Sequence, residues 1–410
     1  MSLEVLVILV PVVFGLMGFG VDLGRLYLVR AELKAAANAM ALAAAQELSG
    51  TDVALDTASA VARATLDSES GYGNRYNFGG TAIGGVGGLL SSEVLDPTYY
   101  DTLANALESG DAEGTTTTGG PTARYAKVII TAEAPLLFWS FLPLGTERKT
   151  AVRAGAVAGI SAPLCTACGI EPLAIAPIDA EDTTNFGYTL NSKYTFSYMC
   201  TGQPAPSPLS GTLAPYLLFN RYNETATVFA DESTQLYRIG AQGLPGSTDA
   251  ALGCVQVASA DGETMWASAT PQACRQAPPA AVNYVLCGMW TRFDSAVSEA
   301  CASIPEVDSL QAYQADTDIS DLDEYGAYTG NKRRVITVPI VDALSSSGTM
   351  NVLGFRQFLI EPNPGGVNIG PSDADGRFVA LYLGSVVPLK AGRFDGCQLA
   401  AGPGKVVLHQ

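Results

Sequence analysis

Val5 to Val21 (VLVILVPVVFGLMGFGV) is a run of 17 residues without a charge. At a rise of about 1.5 Å per residue it reaches about 26 Å, just short of a hydrocarbon core of about 30 Å. Leu3 and Leu23 extend it to a full span. No small-residue cleavage site follows, which favours a retained membrane helix over a signal peptide. From Arg25 to Ser49 the chain has no Gly or Pro, and strong helix formers dominate. Leu26, Leu33 and Met40 recur every seven residues, with Val29, Ala36 and Ala43 three places after each. That is an a/d seam, with alanines where another helix is to approach closely. The two stretches together predict one rod of roughly 45 residues, about 68 Å long. Gly15, Gly18, Gly20 and Gly24 lie along it, and the GxxxG pair Gly20 and Gly24 permits tight helix contact inside lipid.

The pattern then changes. Thr51 to Leu66 (TDVALDTASAVARATL) predicts a second helix, punctuated by Ser49 to Asp52. Residues 68 to 122 are rich in Gly, Ser and Thr and read as an irregular insertion, broken by a short helix over Pro97 to Leu107. Arg124 to Ala132 alternates as a strand does. Leu136 to Leu144 (LLFWSFLPL) is apolar, and Lys149 to Ile160 reads as another strand. Tyrosine-bearing segments at Tyr188 to Tyr198 and Leu213 to Phe229 predict short strands, and Ala296 to Ala302 a helix. Arg333 to Asp342 and Val352 to Ile360 predict a strand pair, followed by a strand over Phe378 to Pro388. The fold class expected is α+β: a long N-terminal membrane or assembly helix and then a β-rich region. Three segments are expected: 1–50, the anchor and amphipathic helix; 51–160, a membrane-proximal α+β module; and 161–410, a cysteine-containing β-rich domain.

Composition sharpens this picture in three ways. The balance is acidic, 40 Asp and Glu against 23 Lys and Arg, for a formal charge of −17. Such a field repels phosphate backbones, so nucleic acid is excluded as a partner. The eight cysteines, Cys165, Cys168, Cys200, Cys254, Cys274, Cys287, Cys301 and Cys397, all lie beyond residue 160 and are even in number. In an exported chain they predict disulfide staples, whose pairing the sequence leaves open. The single histidine, His409, falls in a C-terminal tail expected to fray. With it go the usual general base and the commonest metal ligand, so no catalytic residue and no enzyme activity are expected.

Few motifs carry chemistry. Cys165-Thr-Ala-Cys168 lacks the βαβ context of a redox pair, the histidine of a haem site and the second cysteine pair of a zinc site. A structural disulfide is expected, either within the motif or from each member to a distant strand. Asp316, Asp318, Asp321 and Asp323, with Glu324, are the candidates for calcium through oxygen ligands. They lack EF-hand spacing, so a solvated loop is the default and no cofactor is expected. Gly402-Pro-Gly404-Lys405 and Asp373-Ala-Asp375-Gly376 read as turns.

Topology poses a conflict. Glu4 lies at the membrane end of the apolar run, where a carboxylate is costly unless neutralised. Arg25, Arg30 and Lys34 follow the span and nothing basic precedes it, which by the positive-inside rule places the bulk of the chain in the cytoplasm. The cysteines argue for export instead. A short basic leader, removed by processing, reconciles the two.

The segment Val10-Pro-Val-Val-Phe-Gly-Leu-Met-Gly-Phe-Gly-Val-Asp-Leu-Gly-Arg-Leu-Tyr27, continued through Arg30-Ala-Glu-Leu33 and the alanine-rich Ala35 to Leu48, resembles the opening of the TadE/TadG-like proteins of tight-adherence (Flp) pilus assembly. The likeness covers about 45 residues closely and returns more weakly in the strand order after Arg124 and in the closing strands. Some relatives carry a metal site built on Asp-x-Ser-x-Ser, which Asp342-Ala-Leu-Ser345 and Asp231-Glu-Ser233 both miss. The resemblance implies a pilin-like, membrane-anchored component of a tight-adherence pilus or its assembly machinery, in a bacterial cell envelope. Its partners would be the membrane and other pilin-like subunits or copies of itself. The alternatives are the principal subunit of an extracellular filament, or a membrane-anchored envelope enzyme or adhesion module. Residues expected to pack helices are Glu4, Gly20, Gly24, Leu26, Val29, Leu33, Ala36, Met40 and Ala43.

Overall fold

The structure is a computed structural model. It describes residues 2–51, 53–65, 91–94, 96–108, 116–136, 149–199, 204–218, 236–237, 240–241, 254–256, 266–268, 280–293, 301–302, 315–345, 349–362, 369, 373–384, 389, 391–394 and 404–409. These form two compact units: one of residues 1–49, 53–160 and 406–410, the other of residues 50–52 and 161–405.

The first unit begins with a single 45-residue helix, α1 (Ser2–Gln46), followed by α2 (Ala54–Ala64). Strands β1 (Ser91–Val94) and β2 (Thr98–Tyr100) and the short helix α3 (Leu103–Leu107) come next. Strands β3 (Tyr125–Pro135) and β4 (Lys149–Ile160) form its long central hairpin. Alternation in β3 is clean: Ala126, Val128, Ile130, Ala132 and Ala134 are buried on one face, while Lys127, Ile129 and Thr131 are half-buried and Glu133 exposed on the other. Period-two patterning of this kind is what a sheet with one covered face requires. Tyr125 stands opposite Gly159, where an added Cβ would come within 2.2 Å of the Tyr125 ring, so only glycine leaves the ring its place.

Two expectations fail in this unit. Pro97 to Leu107 is not one helix: Tyr99 and Tyr100 are buried in β2, paired with Ala126 and Tyr125, and only then does Thr102 accept a hydrogen bond from the Asn105 N–H to cap α3. Pairing with β3 buries two aromatic rings, which a solvent-exposed turn of helix would not. Nor is the tail frayed. The C-terminal strand Val406–His409 adds to β4, and His409 is half-buried, its Nε2 3.1 Å from the Ile160 carbonyl and its ring edge-on to Tyr125.

The second unit runs through β5 (Thr166–Cys168), β6 (Leu173–Ile175), β7 (Lys193–Tyr198), β8 (Thr212–Leu218), β9 (Cys254–Gln256) and β10 (Trp266–Ser268). Helix α4 (Ala280–Trp290) follows, then β11 (Val335–Val341), β12 (Thr349–Ile360), β13 (Phe378–Gly384) and β14 (Ala391–Arg393). The order β12-β11-β6-β8-β7-β13 closes on itself, because β13 also pairs with β12. The result is a six-stranded mixed barrel, parallel at β7–β8 and β6–β11, with β10 added to the start of β12. Alternate residues fill its core: Tyr194 and Phe196 from β7, Phe378 and Tyr382 from β13, Phe358 from β12 and Tyr216 from β8. Phe196 stacks on Phe378 at 4.7 Å and meets Phe358 edge-on at 5.1 Å. Val282, Val285, Leu286 and Met289 of α4 belong to the same core. The Tyr188, Tyr216 and Tyr382 hydroxyls donate to the Ala176 carbonyl, the Gly376 carbonyl and Asn185 Oδ1, and burial pushes the Tyr216 pKa far above the ordinary value. A small barrel filled by side chains in this way is a packed core and not a channel.

A three-stranded sheet, β14-β5-β9, joins residues far apart in the chain. Thr166 to Cys168 is extended, so Cys165 and Cys168 lie about 10 Å apart at about 3.3 Å per residue, beyond the reach of one disulfide. Both are nonetheless disulfide-bonded, so each is stapled to another cysteine. Cys287 in α4 is bonded to Cys301. That bridge spans a sequence separation of 14. Closing a loop of this size removes denatured-state entropy worth about 3 kcal/mol. Serine at both positions is expected to lower the free energy of unfolding by about that amount, read by chemical denaturation of the full chain.

Candidate functional site

Helix α1 has two halves with opposite surroundings. Along residues 9–28 the large apolar side chains point outward: Phe14 is 65% exposed and Leu16 67%, and Leu9, Val12, Met17, Phe19, Tyr27 and Leu28 are likewise exposed. A buried core helix would hide these groups; a contiguous apolar surface of this size marks contact with lipid or another protein. Among the described residues this is the one helix long and apolar enough to cross a membrane. Pro11 lies inside it and withdraws one backbone donor, a loss tolerated in spanning helices. A Cβ placed on Gly15, Gly20 or Gly24 would meet nothing within 4 Å. The fold of this chain therefore does not require glycine there, although each glycine costs about 1 kcal/mol of helix propensity against alanine. Asp22 is buried and engaged with a partner, whereas of Glu4 only the helical backbone is described.

Beyond residue 28 the helix is covered. Val29, Leu33, Ala36 and Met40 are buried, and Leu26 and Ala43 are half-buried. Burial also takes in Ala37, Ala41, Ala44, Ala45 and Leu48. The buried set recurs at seven residues, Val29 with Ala36, Leu33 with Met40, Ala37 with Ala44 and Ala41 with Leu48, and also at eleven, Val29 with Met40, Leu33 with Ala44 and Ala37 with Leu48. A straight α-helix drifts about 20° per heptad against a 3.5-residue repeat, so Ala43 turns toward the flank while Ala41 and Ala45 turn in. What covers this face is the chain's own sheet and α2: Ala126, Ala132 and Ala134 of β3, Ala154, Ala156 and Ala158 of β4, and Ala58 and Ala62. Alanine against alanine lets helix and sheet approach closely, and Lys34 Nζ donates to the Gly155 carbonyl at 2.6 Å across that interface.

The acidic residues of 316–324 lie in one loop of the second unit. Asp316 is buried; it accepts from the Tyr328 hydroxyl at 2.6 Å and from the backbone of Arg334 and Asp318. Asp318 accepts from Ser320 and from the Thr329 N–H. Partial burial works against its charge, but these donors from Ser320 and Thr329 prevail and hold its carboxyl below the ordinary range. Asp323 is exposed and pairs with Lys193 at 2.9 Å. Among the described residues no three acidic, cysteine or histidine side chains converge as a metal site would. Cys200, Cys274 and Cys397 lie outside the described residues, as do residues 137–148 with their aromatic cluster and most of the expected helix at 296–302; of Cys254 only the backbone, in β9, is described.

Sequence reasoning missed the most unusual group in the second unit, three fully buried arginines. Arg292 Nε donates to the Gly240 carbonyl at 2.7 Å, Nη1 to the Arg333 and Val335 carbonyls, and Nη2 to Glu171. Arg333 reaches the Ala241 carbonyl and Thr291 Oγ1, and Arg334 reaches the Ile360, Asp318 and Ser320 carbonyls and Glu361. Their one signal in the sequence is a pair of arginines immediately before an apolar strand. These side chains fasten loops to the barrel and do not line an open cleft.

The exposed apolar half of α1 and the covered half below it are thus the arrangement with a functional consequence. No curated protein and no solved structure matches the chain. The family model that does match, described as "Putative Flp pilus-assembly TadE/G-like", covers residues 1–47, which is helix α1, and it supports a role for this protein related to pilus assembly.

Proposed function

We propose that this chain is a pilin-like, membrane-anchored structural component of a tight-adherence pilus or of its assembly machinery. The observation that carries the reading is the division of α1 at residue 28, bare and apolar above, seated on a sheet below. Residues 9–28, most of them exposed, reach about 30 Å, the thickness of a hydrocarbon core. The same surface serves a second state, because a helix that leaves lipid to pack beside its copies needs only to exchange one apolar neighbour for another. Glycines without an internal reason suit such exchange. The reading involves no catalytic step and no cofactor; the one histidine is taken up in the C-terminal strand.

The test is to delete the gene and to fractionate wild-type cells into membranes and sheared surface fibres. The chain is expected in the membrane fraction, and its loss is expected to abolish the fibres. Recovery of the chain within purified fibres would favour the filament-subunit reading over the assembly-factor one. Fibres of normal number and length in the deletion strain would overturn both.

A further inference from the structure

Strand β4 is 12 residues long, and its two sides are covered unequally. On one side β3 pairs with it from Lys149 to Gly159, and β1 and β2 cover β3 in turn. On the other side the strand Val406–His409 reaches only Val157 to Ile160. One residue past β4, the Ser161 N–H donates to the Lys405 carbonyl at 2.8 Å. Backbone groups of an antiparallel strand turn alternately to its two neighbours, so Gly159, Val157, Gly155, Arg153 and Ala151 turn theirs to this second side. In keeping with that, the Gly155 carbonyl accepts from Lys34 Nζ at 2.6 Å. Gly159 and Val157 are paired there. Ala151, Arg153 and Gly155 are exposed, and apart from the lysine contact their outward N–H and C=O groups have no partner among the described residues. Such a row is a template for another strand.

We propose that this edge of β4 takes up an extended strand of a partner protein, built of apolar and acidic residues in alternation. The side chains beside the edge set both halves of that pattern. Ala154 and Ala156 are buried in the core under α1, and Val152 is half-buried at its margin. In the strand Val406–His409 the residues that meet this core are Val406 and Leu408, opposite Ile160 and Ala158. A strand continuing that line beside Ala154 and Val152 therefore needs apolar residues on the same face. On the opposite face Arg153 is exposed, and Lys34 stands at the edge itself. Neither has a carboxylate partner among the described residues. The acid of β3 on that face, Glu133, lies opposite Ala151, one strand further in, and is already engaged.

Two basic side chains without acidic partners stand out in a chain with 40 Asp and Glu against 23 Lys and Arg. Charge of this sign at an edge is selective. It favours acidic residues in an added strand and disfavours a second copy of the same edge, which would bring Arg153 toward another Arg153. Basic residues on edge strands guard against indiscriminate pairing, and here the guard leaves one class of strand a way in. Main-chain hydrogen bonds along Ala151 to Ala156, about 20 Å, would supply affinity, and the alternating side chains specificity. The surface lies in the first unit and does not depend on what the apolar half of α1 contacts, so it stands apart from the pilus role.

The probe is a labelled, end-capped peptide, Thr-Val-Glu-Val-Glu-Val-Thr, titrated against the full chain in detergent at low salt and followed by fluorescence anisotropy. Saturable binding is expected, about tenfold tighter than that of Thr-Val-Lys-Val-Lys-Val-Thr. N-methylation of the peptide amides keeps the charges but removes the donors, and is expected to abolish binding to the unaltered chain. Ala151→Pro deletes an outward N–H and leaves the β3 ladder whole, so it should weaken binding about tenfold with thermal unfolding unchanged. Arg153→Gln is expected to narrow the preference for the acidic peptide. Acidic and basic peptides that bind alike, an N-methylated peptide that binds as its parent does, or no binding at millimolar peptide would each overturn the proposal. So would a chain that takes no peptide but dimerises in detergent and loses the dimer in Ala151→Pro, since the occupant would then be a second copy.

Discussion

Alanine in place of Arg292 is expected to lower the free energy of unfolding by about 3–5 kcal/mol, the cost of leaving a buried charge without its partner. Arg292 and Glu171 are each 1% exposed and ion-paired. Truncation would take from the Glu171 carboxylate its ion pair and from the carbonyls of Gly240, Arg333 and Val335 the donors of one planar guanidinium fork. Lysine keeps the charge but not the fork, so Arg292→Lys should recover only part of the loss. Pairing Arg292→Met with Glu171→Leu should recover more, because removing both charges also removes their desolvation cost. Urea denaturation of the three variants reads this order, and an Arg292→Ala variant within about 1 kcal/mol of wild type would show the network to be dispensable.

Deletion of residues 2–21 is expected to release the chain from membranes and leave the first unit folded. The twelve Leu, Ile, Val and Phe residues between Val5 and Val21 each favour insertion. At about 0.3–0.6 kcal/mol per residue they contribute about 4–7 kcal/mol in all, before the smaller penalties of Pro11 and the glycines. The sheet-facing core of α1 begins only at Val29, so none of its buried side chains is lost. Leu33→Asp should do the reverse. Leu33 is wholly buried between helix and sheet, and a carboxylate there would unfold the unit while the apolar run still partitions into the membrane. Flotation with liposomes, with circular dichroism on the same samples, separates the two effects; a deletion variant that still floats would place the membrane contact elsewhere.

Some of this was legible from local pattern. The uncharged run, the glycine-free stretch after Arg25 and the alternation of β3 and β4 each follow from neighbours in the chain, as do the strands around Val338, Phe358 and Leu381. Other features were not. Tyr99 and Tyr100 read as part of a helix until a strand to pair with is supplied, and AAVNYVLCGMW in α4 has too little polar contrast to show its period. The seam on α1 is legible at seven residues, but the extra burial of Ala37, Ala41, Ala44 and Ala45 is not, because it depends on the width of the surface that covers the helix. That surface is a sheet and α2, which only the folded chain supplies.

By itself the sequence determined that the chain has an apolar span, a helix continuing beyond it, and a β-rich remainder joined by cysteines. Those are properties of run length and period, set by the rise and pitch of each element. Only the tertiary structure decided that α1 is covered below residue 28, that six strands close into a barrel, and that the second unit buries three arginines. The reason is range: Glu171 meets Arg292 across a separation of 121 residues, and a carboxylate or guanidinium can leave water only where the folded chain brings it a partner.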